Sequence, residues 1–229
     1  VAYSLSQKDV HLLFSPIKNK EFRMLTLWGR ENSSNVKKVL WLLDELNVTF
    51  QHINAGGVYG KNNEPLYLSL NPNGLVPCLQ DDDFVLWESN AILRYLAERS
   101  GEEAFWPDNL QQRAAADKWL DWCSNSLTVP FRQVFLTLVR TPEAERDMSV
   151  VAAGMAAFEK YWAIADAVLV KQKWFSGEQF GIGDIPVACY ADTWFRLDIE
   201  RQAHPNLERW YQQLQQRPAF CKRVMLPLS

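Results

Sequence analysis

The residues with the clearest chemical use are two adjacent pairs, Val76-Pro77 and Glu88-Ser89, each at the head of a regular element. A proline at the head of a strand has no N–H to donate. A cis bond there would turn the chain back, so that Val76 presents its own N–H and C=O outward, open to pairing with a peptide. Glu88-Ser89 opens a helix whose unpaired N–H groups and dipole favour an anion, with the glutamate offering a carboxylate to an ammonium. A hydroxyl and N–H for a carboxylate, a carboxylate for an amine and a strand-like edge one hairpin away suit an amino-acid head group and the backbone of a small peptide.

The elements that must position these pairs can be read from periodicity. Val76-Pro77-Cys78-Leu79 predicts a strand, Asp81-Asp82-Asp83 a polar turn and Phe84-Val85-Leu86 the return strand of a hairpin. A helix follows from Ser89, with Ala91, Ile92, Tyr95 and Leu96 on one face and Gly101 at its end. Upstream, Met24 to Trp28 has strand propensity and stops at Gly29. The spacing of Val36, Val39, Leu40, Leu43 and Leu46 predicts a helix that starts among Ser33, Ser34 and Asn35. Thr49 to Ile53 reads as a strand pairing in parallel with the first through a right-handed crossover. The Gly- and Asn-rich stretch 55–63 carries no strong pattern, and Glu64 to Leu70 can supply a short helix. The first half is therefore βαβ-α-ββα.

The second half reads as all helical. Ala104 to Leu110, with its proline and turn residues, is the expected linker, which divides the chain into 1–23, 24–103, a linker at 104–111, and 112–229. Gln111 to Asn125 is predicted helical with Ala115, Trp119 and Trp122 on one face, and Phe131 to Val139 is predicted to continue after Pro130. Val151 to Val170 has apolar residues at amphipathic spacing, and a last helix runs from His204-Pro205 to Arg217, closed by Pro218. In Phe180-Gly181-Ile182-Gly183-Asp184-Ile185, Gly181 as N-cap would place Asp184 at N3, accepting from the Gly181 N–H, with Phe180 and Ile185 as a hydrophobic staple. On capping alone, Asp184→Ala should cost about 1 kcal/mol.

Composition narrows the function classes. A chain of 229 residues can bury a real core and hold two domains. With 24 basic and 27 acidic residues, its net charge of −3 implies neither a nucleic-acid surface nor a membrane-binding one. Cys78, Cys123, Cys189 and Cys221 form no C-x-x-C, and His11, His52 and His204 are isolated, so no metal site is expected and a His-based nucleophile system has no support. Widely spaced, reduced cysteines suit a cytoplasmic protein. There is no G-x-S-x-G, which removes serine hydrolysis.

V-P-x-L followed by ES-x-A-I-x-x-Y-L resembles the glutathione-binding motif of the glutathione transferases, and the similarity extends from about Met24 to the C-terminus. The chain looks like a bacterial cytosolic member of the serine type, theta/zeta-like. The resemblance implies a thioredoxin-like α/β domain followed by an all-α bundle, glutathione as co-substrate, no metal, a homodimer, and a role in detoxification. It also implies that Val76, Pro77, Glu88 and Ser89 bind glutathione. Members of the family often carry Lys or Gln just before the Val-Pro, where this chain has Leu75; Asn73 is the candidate replacement. The stretch Lys37-Lys38-Val39-Leu40 aligns with the residues after the catalytic serine, which implies Ser33 as the donor to the glutathione thiolate, with Ser34 and Asn35 as secondary candidates.

The thiolate is the nucleophile, and a free thiol with a pKa of about 8.5 needs a donor that favours the anion. The expected reaction is conjugation to small electrophiles, halogenated or anionic ones among them. Trp28, Arg30, Phe131, Arg132 and Phe135 are the candidates for the electrophile site, since Arg pairs well with carboxylates. Two rival readings use the same fold: glutathione-dependent reduction of peroxides or disulfides, and a binding module without chemistry. Residues 1–23 are read as an extension upstream of, or added to, a native start at Met24. Mass spectrometry of the protein from its natural source should return an intact mass beginning at Met24; a mass that includes Val1–Arg23 rules this out.

Overall fold

The computed structural model describes residues 24–228; the expectation for residues 1–23 lies outside them. Four short strands, β1 (Leu25–Trp28), β2 (Phe50–Ile53), β3 (Cys78–Asp81) and β4 (Phe84–Trp87), form one sheet in the order β2-β1-β3-β4. β1 pairs in parallel with β2, with Leu25 opposite Phe50, and antiparallel with β3, which in turn pairs antiparallel with β4. The helices of this half are α1 (Ser34–Glu45), α2 (Pro65–Leu70) and α3 (Ser89–Ser100). This is the predicted βαβ-α-ββα order, with one shift of consequence. β3 begins at Cys78 rather than Val76, so Val76 lies beyond the ladder's last pair, Trp28 with Cys78.

The second half contains α4 (Leu110–Trp122), α5 (Thr128–Phe135), α6 (Met148–Leu169), α7 (Asp184–Arg196), α8 (Pro205–Leu214) and α9 (Pro218–Arg223). α4 starts inside the expected linker, where the Asn109 side chain accepts from the N–H groups of Gln111 and Gln112 at 2.9 and 3.1 Å. Its buried face is Ala116, Trp119 and Leu120; Ala115, expected inward, is exposed. Pro130 does not separate two helices. The helix runs on through it because a π-helical turn, Cys123–Leu127, lies just before α5, and a second, Leu136–Arg140, follows. A proline cannot donate to the preceding turn, and widening that turn accommodates the missing bond. Pro218, expected as a stop, instead stands at the first position of α9, where its fixed φ and absent N–H suit a helix start.

The two halves share one apolar core, and α1 lies at its centre. Every residue from Val36 to Leu43 is buried, lysines included. Trp41 packs against Phe180 and Phe220, with ring centroids 5.2 and 4.9 Å apart. The chain's end then grips the outer turns of α1. Arg217 pairs with both oxygens of Glu45 at 2.9 and 2.7 Å, and Arg223 with both oxygens of Asp44 at 2.8 and 3.0 Å. The Lys37 ammonium donates to the Val224 carbonyl at 2.7 Å.

Asp184 does more than cap α7. The expected bond from the Gly181 N–H is present at 3.2 Å, but the helix begins at Asp184 with Gly183 at the N-cap rather than Gly181; Asp184 accepts as well from the Phe175 N–H at 2.8 Å, the Ser176 N–H at 3.2 Å and the Trp210 indole at 2.8 Å, and it is fully buried. The hydroxyl that Gly181 lacks comes from Ser176, whose Oγ accepts from the Gly183 N–H at 3.0 Å. Burial pushes the Asp184 pKa upward, against these donors. Removing the carboxylate strands buried donors that each cost about 1–3 kcal/mol, so Asp184→Ala should lower the unfolding free energy by about 3 kcal/mol or more, not the 1 kcal/mol of capping alone. Denaturant unfolding monitored by circular dichroism checks this, and a loss near 1 kcal/mol would show that only the cap matters.

Candidate functional site

Val76 is presented by a loop fastened from behind. The Leu75 carbonyl accepts from the Tyr67 hydroxyl at 2.6 Å and from the Asn71 amide at 2.8 Å, and the Gly74 carbonyl accepts from Asn62 at 2.7 Å. The Val76-Pro77 bond is cis. Among the described residues the Val76 N–H and C=O have no backbone partner. Gly29 lets α1 approach this point closely: a Cβ there would lie 2.5 Å from Val36 Cγ2 and 3.4 Å from Val76 Cβ. The first turn of α1 and the Val76 edge are thereby held side by side.

At the head of α1, Ser33 has extended backbone angles and accepts the Lys37 N–H on its carbonyl at 2.9 Å. Its hydroxyl makes no capping bond. This side chain lies on the wall of a hollow. Ser33, Ser34 and Asn35 line it together with Arg30, Arg132 and Arg140, the stacked Phe131 and Phe135 (centroids 5.1 Å), Thr128 and Tyr190. Arg140 lies over the Phe135 ring at 5.2 Å. Burial, and then the charge of Arg140, lowers the pKa of Arg30. The arginines thus crowd positive charge over an aromatic floor.

A second hollow of about 480 Å³ adjoins the first, sharing Asn35, Thr128 and Tyr190 with it, and opens beside Glu88 and Ser89. Ser89 is the first residue of α3, and Glu88 before it holds φ +73°, a left-handed backbone that a non-glycine residue rarely adopts. Such outliers gather at ligand clamps. The Ser89 hydroxyl donates to Asn35 Oδ1 at 3.3 Å and accepts from the Lys38 ammonium at 3.4 Å. Asn90 anchors the helix to the second half by donating to the Leu120 carbonyl at 2.7 Å and to Ser124 at 3.0 Å. From the other end, Asp81 accepts the Tyr95 hydroxyl and pairs with Arg99 at 2.9 Å, fixing the hairpin to α3.

Four of the five electrophile-site candidates, Arg30, Phe131, Arg132 and Phe135, come together on one wall. Trp28 does not: its indole donates to Gln80 at 2.6 Å and its ring meets Tyr67 edge-on, in a small cluster with Ala55 and Cys78. Asn73 is exposed and donates with both its backbone N–H and its amide to Asn71 Oδ1, at 3.1 and 3.0 Å, so it serves the loop's own turn. The residues that periodicity overlooked are Lys38, Tyr190, Thr128 and Arg140. For Lys38 a signal existed, since two lysines stand inside an otherwise apolar run from Val36 to Leu43. Tyr190 and Thr128 reach the cleft through tertiary packing, with their hydroxyls 3.1 Å apart, and no local pattern marks them.

Comparison with known proteins points to one family. Residues 23–98 match the model of the glutathione S-transferase N-terminal domain and residues 128–218 that of its C-terminal domain. The chain is 48% identical over 208 residues to glutathione S-transferase GstB of Escherichia coli K12, covering 90% of this chain and all of that protein. It is 27% identical to the probable glutathione S-transferase GSTF2 of rice, covering 88% and 96% of the two. Among solved structures it superposes on the theta class glutathione S-transferase of the citrus canker pathogen Xanthomonas axonopodis pv. citri with glutathione bound. The TM-score is 0.86 at 46% identity, covering 90% of this chain and 99% of that one.

Proposed function

Since the chain belongs to the glutathione S-transferase family, we propose that its cleft holds glutathione along the Val76 edge and conjugates it, through its thiolate, to small electrophiles. The γ-glutamyl carboxylate takes the Ser89 hydroxyl and the N–H groups at the start of α3, and the γ-glutamyl amine takes Glu88. The cysteinyl backbone pairs with Val76. The thiol then reaches the head of α1 and releases its proton to solvent water, leaving a sulfur anion to which Ser33 donates. The thiolate attacks an electrophilic carbon, the S–C bond forms, and the leaving group departs with the electron pair of its former bond.

The observation that carries this reading is the Ser33 hydroxyl: it sits at an N-cap, makes no capping bond, and lines a hollow that adjoins the one at Ser89. The second substrate rests on Phe131 and Phe135, and Arg30 and Arg132 at its edge favour an anionic group, halogenated acids being one such class. The protein acts as a cytoplasmic homodimer in this reading. Reduction of peroxides or disulfides would use the same thiolate, and assays with a peroxide and a disulfide beside an alkyl halide separate it from conjugation. A pure binding module would bind glutathione and turn over neither.

A hydrogen bond to a charged group is worth about 1.5–3 kcal/mol, or one to two pKa units. Ser33→Ala should therefore raise the apparent pKa of kcat/KM by about one to two units and cut turnover at neutral pH by about tenfold or more, with little change in glutathione affinity. The sign follows from the donor favouring the anion: without it, the thiolate forms only at higher pH. If Ser34→Ala produces this pattern and Ser33→Ala does not, the assignment to Ser33 is wrong.

A further inference from the structure

Lys38 is not explained by the scheme above. It lies in the second turn of α1 with only 1% of its surface exposed, and it lines the hollow beside Ser89. Its ammonium donates to Asn35 Oδ1 at 2.9 Å and to Ser89 Oγ at 3.4 Å, and lies 5.5 Å from the centre of the Tyr190 ring. These partners are neutral, and among the described residues no carboxylate oxygen is within ion-pair distance of it. The acids nearest the hollow are otherwise engaged or placed: Asp121 pairs with Arg94 at 2.7 Å, and Glu88 sits exposed at the rim. Two buried thiols, Cys123 and Cys189, lie close enough to feel its charge, but burial pushes both up to about 12, so neither supplies a negative charge at neutral pH.

A buried charge without a counter-charge is costly, and natural proteins pair such groups. Lys37, its neighbour, shows the structural alternative. It is buried too, but donates to the Val224 carbonyl and has Asp192 nearby. Lys38 has no such acid, and its two hydrogen-bond partners both face the hollow.

We infer that Lys38 is a positioning cation for glutathione, neutralising the γ-glutamyl carboxylate from beneath the Ser89 hydroxyl. This rests on the reading that Ser89 anchors the glutathione head group. The ammonium orients the Ser89 hydroxyl and the Asn35 amide, and its charge is compensated only when the carboxylate arrives. Lys38 takes no part in the bond-making step, so its loss weakens binding rather than turnover at saturation.

The test compares glutathione with the analogue in which hydrogen replaces the γ-glutamyl α-carboxylate, titrated calorimetrically into the full-length protein. Wild type should prefer glutathione by about tenfold or more, as a charge-assisted contact implies. Lys38→Met should bind the two ligands about equally, with saturating turnover retained, while Lys38→Arg keeps most of the preference. If wild type discriminates and Lys38→Met discriminates just as well, the role of Lys38 falls and the Ser89 site stands. If wild type itself does not discriminate, the Ser89 reading falls and Lys38 with it. Should Lys38→Met fail to fold, the wild-type protein still decides: the Lys38 side-chain NMR signal should shift on saturation with glutathione and not with the analogue, and equal shifts overturn the proposal.

Discussion

The structure depends on the burial of α1 along its whole middle. A helix covered on all sides cannot drift relative to its neighbours, because any sliding opens voids in a close-packed interior. α1 packs against α3, α7 and α9, with Trp41 between Phe180 and Phe220. The ion pairs of Arg217 with Glu45 and Arg223 with Asp44 are partly exposed, and such pairs contribute only about 0–1 kcal/mol each. Their value is geometric: bidentate pairing fixes the rotation of α1 about its axis. Asp44 reflects the same contacts. Its burial would raise its pKa, yet the bonds from Arg223 and Lys222 outweigh that and hold the carboxyl below the usual carboxylate range.

Fixing α1 fixes the cleft, because the two halves of the chain meet along this helix. The α/β half contributes backbone: the Val76 edge, the first turn of α3 and the head of α1. The helical half contributes side chains on a helix interrupted by two π turns. Phe131, Phe135 and Arg132, between the two turns, share a wall with Ser33. Two adjoining hollows of different character result, one lined by aromatic rings and arginines and the other by Glu88, Ser89 and Lys38. Bringing two reactants into one oriented site is itself a large part of lowering a bimolecular barrier.

The fold was largely legible in the sequence because its elements announce themselves locally. The alternation of β3 and β4 around Asp82, the stripe of Val36, Val39, Leu40 and Leu43, and the Val76-Pro77 and Glu88-Ser89 pairs all depend on neighbours a few positions apart. What could not be read depends on contacts distant in sequence. Pro130 looks like a break until the π turn before it is known, and Pro218 can end one helix or begin the next. Trp28 stands beside the site in sequence, but in a strand successive side chains point to opposite faces, and this one turns to Gln80 and Tyr67. Asp184 looked like a cap of modest worth because the Trp210 and Phe175 donors that complete its environment lie outside the motif.

Asp184 and Lys38 show how a buried charge can be told apart by its surroundings. Both side chains lie out of solvent within the shared core. Asp184 has donors on both oxygens from the protein itself, so its environment is complete whatever else is present, and its role is to hold the α7 entry against α8. Lys38 has one close acceptor, a longer contact to a hydroxyl, and an aromatic ring, all at the edge of a hollow. Its hydrogen bonds to Asn35 within α1 and to Ser89 of α3 tie the two helices, yet they leave the charge itself without a counter-charge, and replacing such a buried charge by an apolar side chain of similar volume is often neutral or stabilising. In the role proposed for Lys38, that charge serves a group entering the hollow, and its sign asks for an anion.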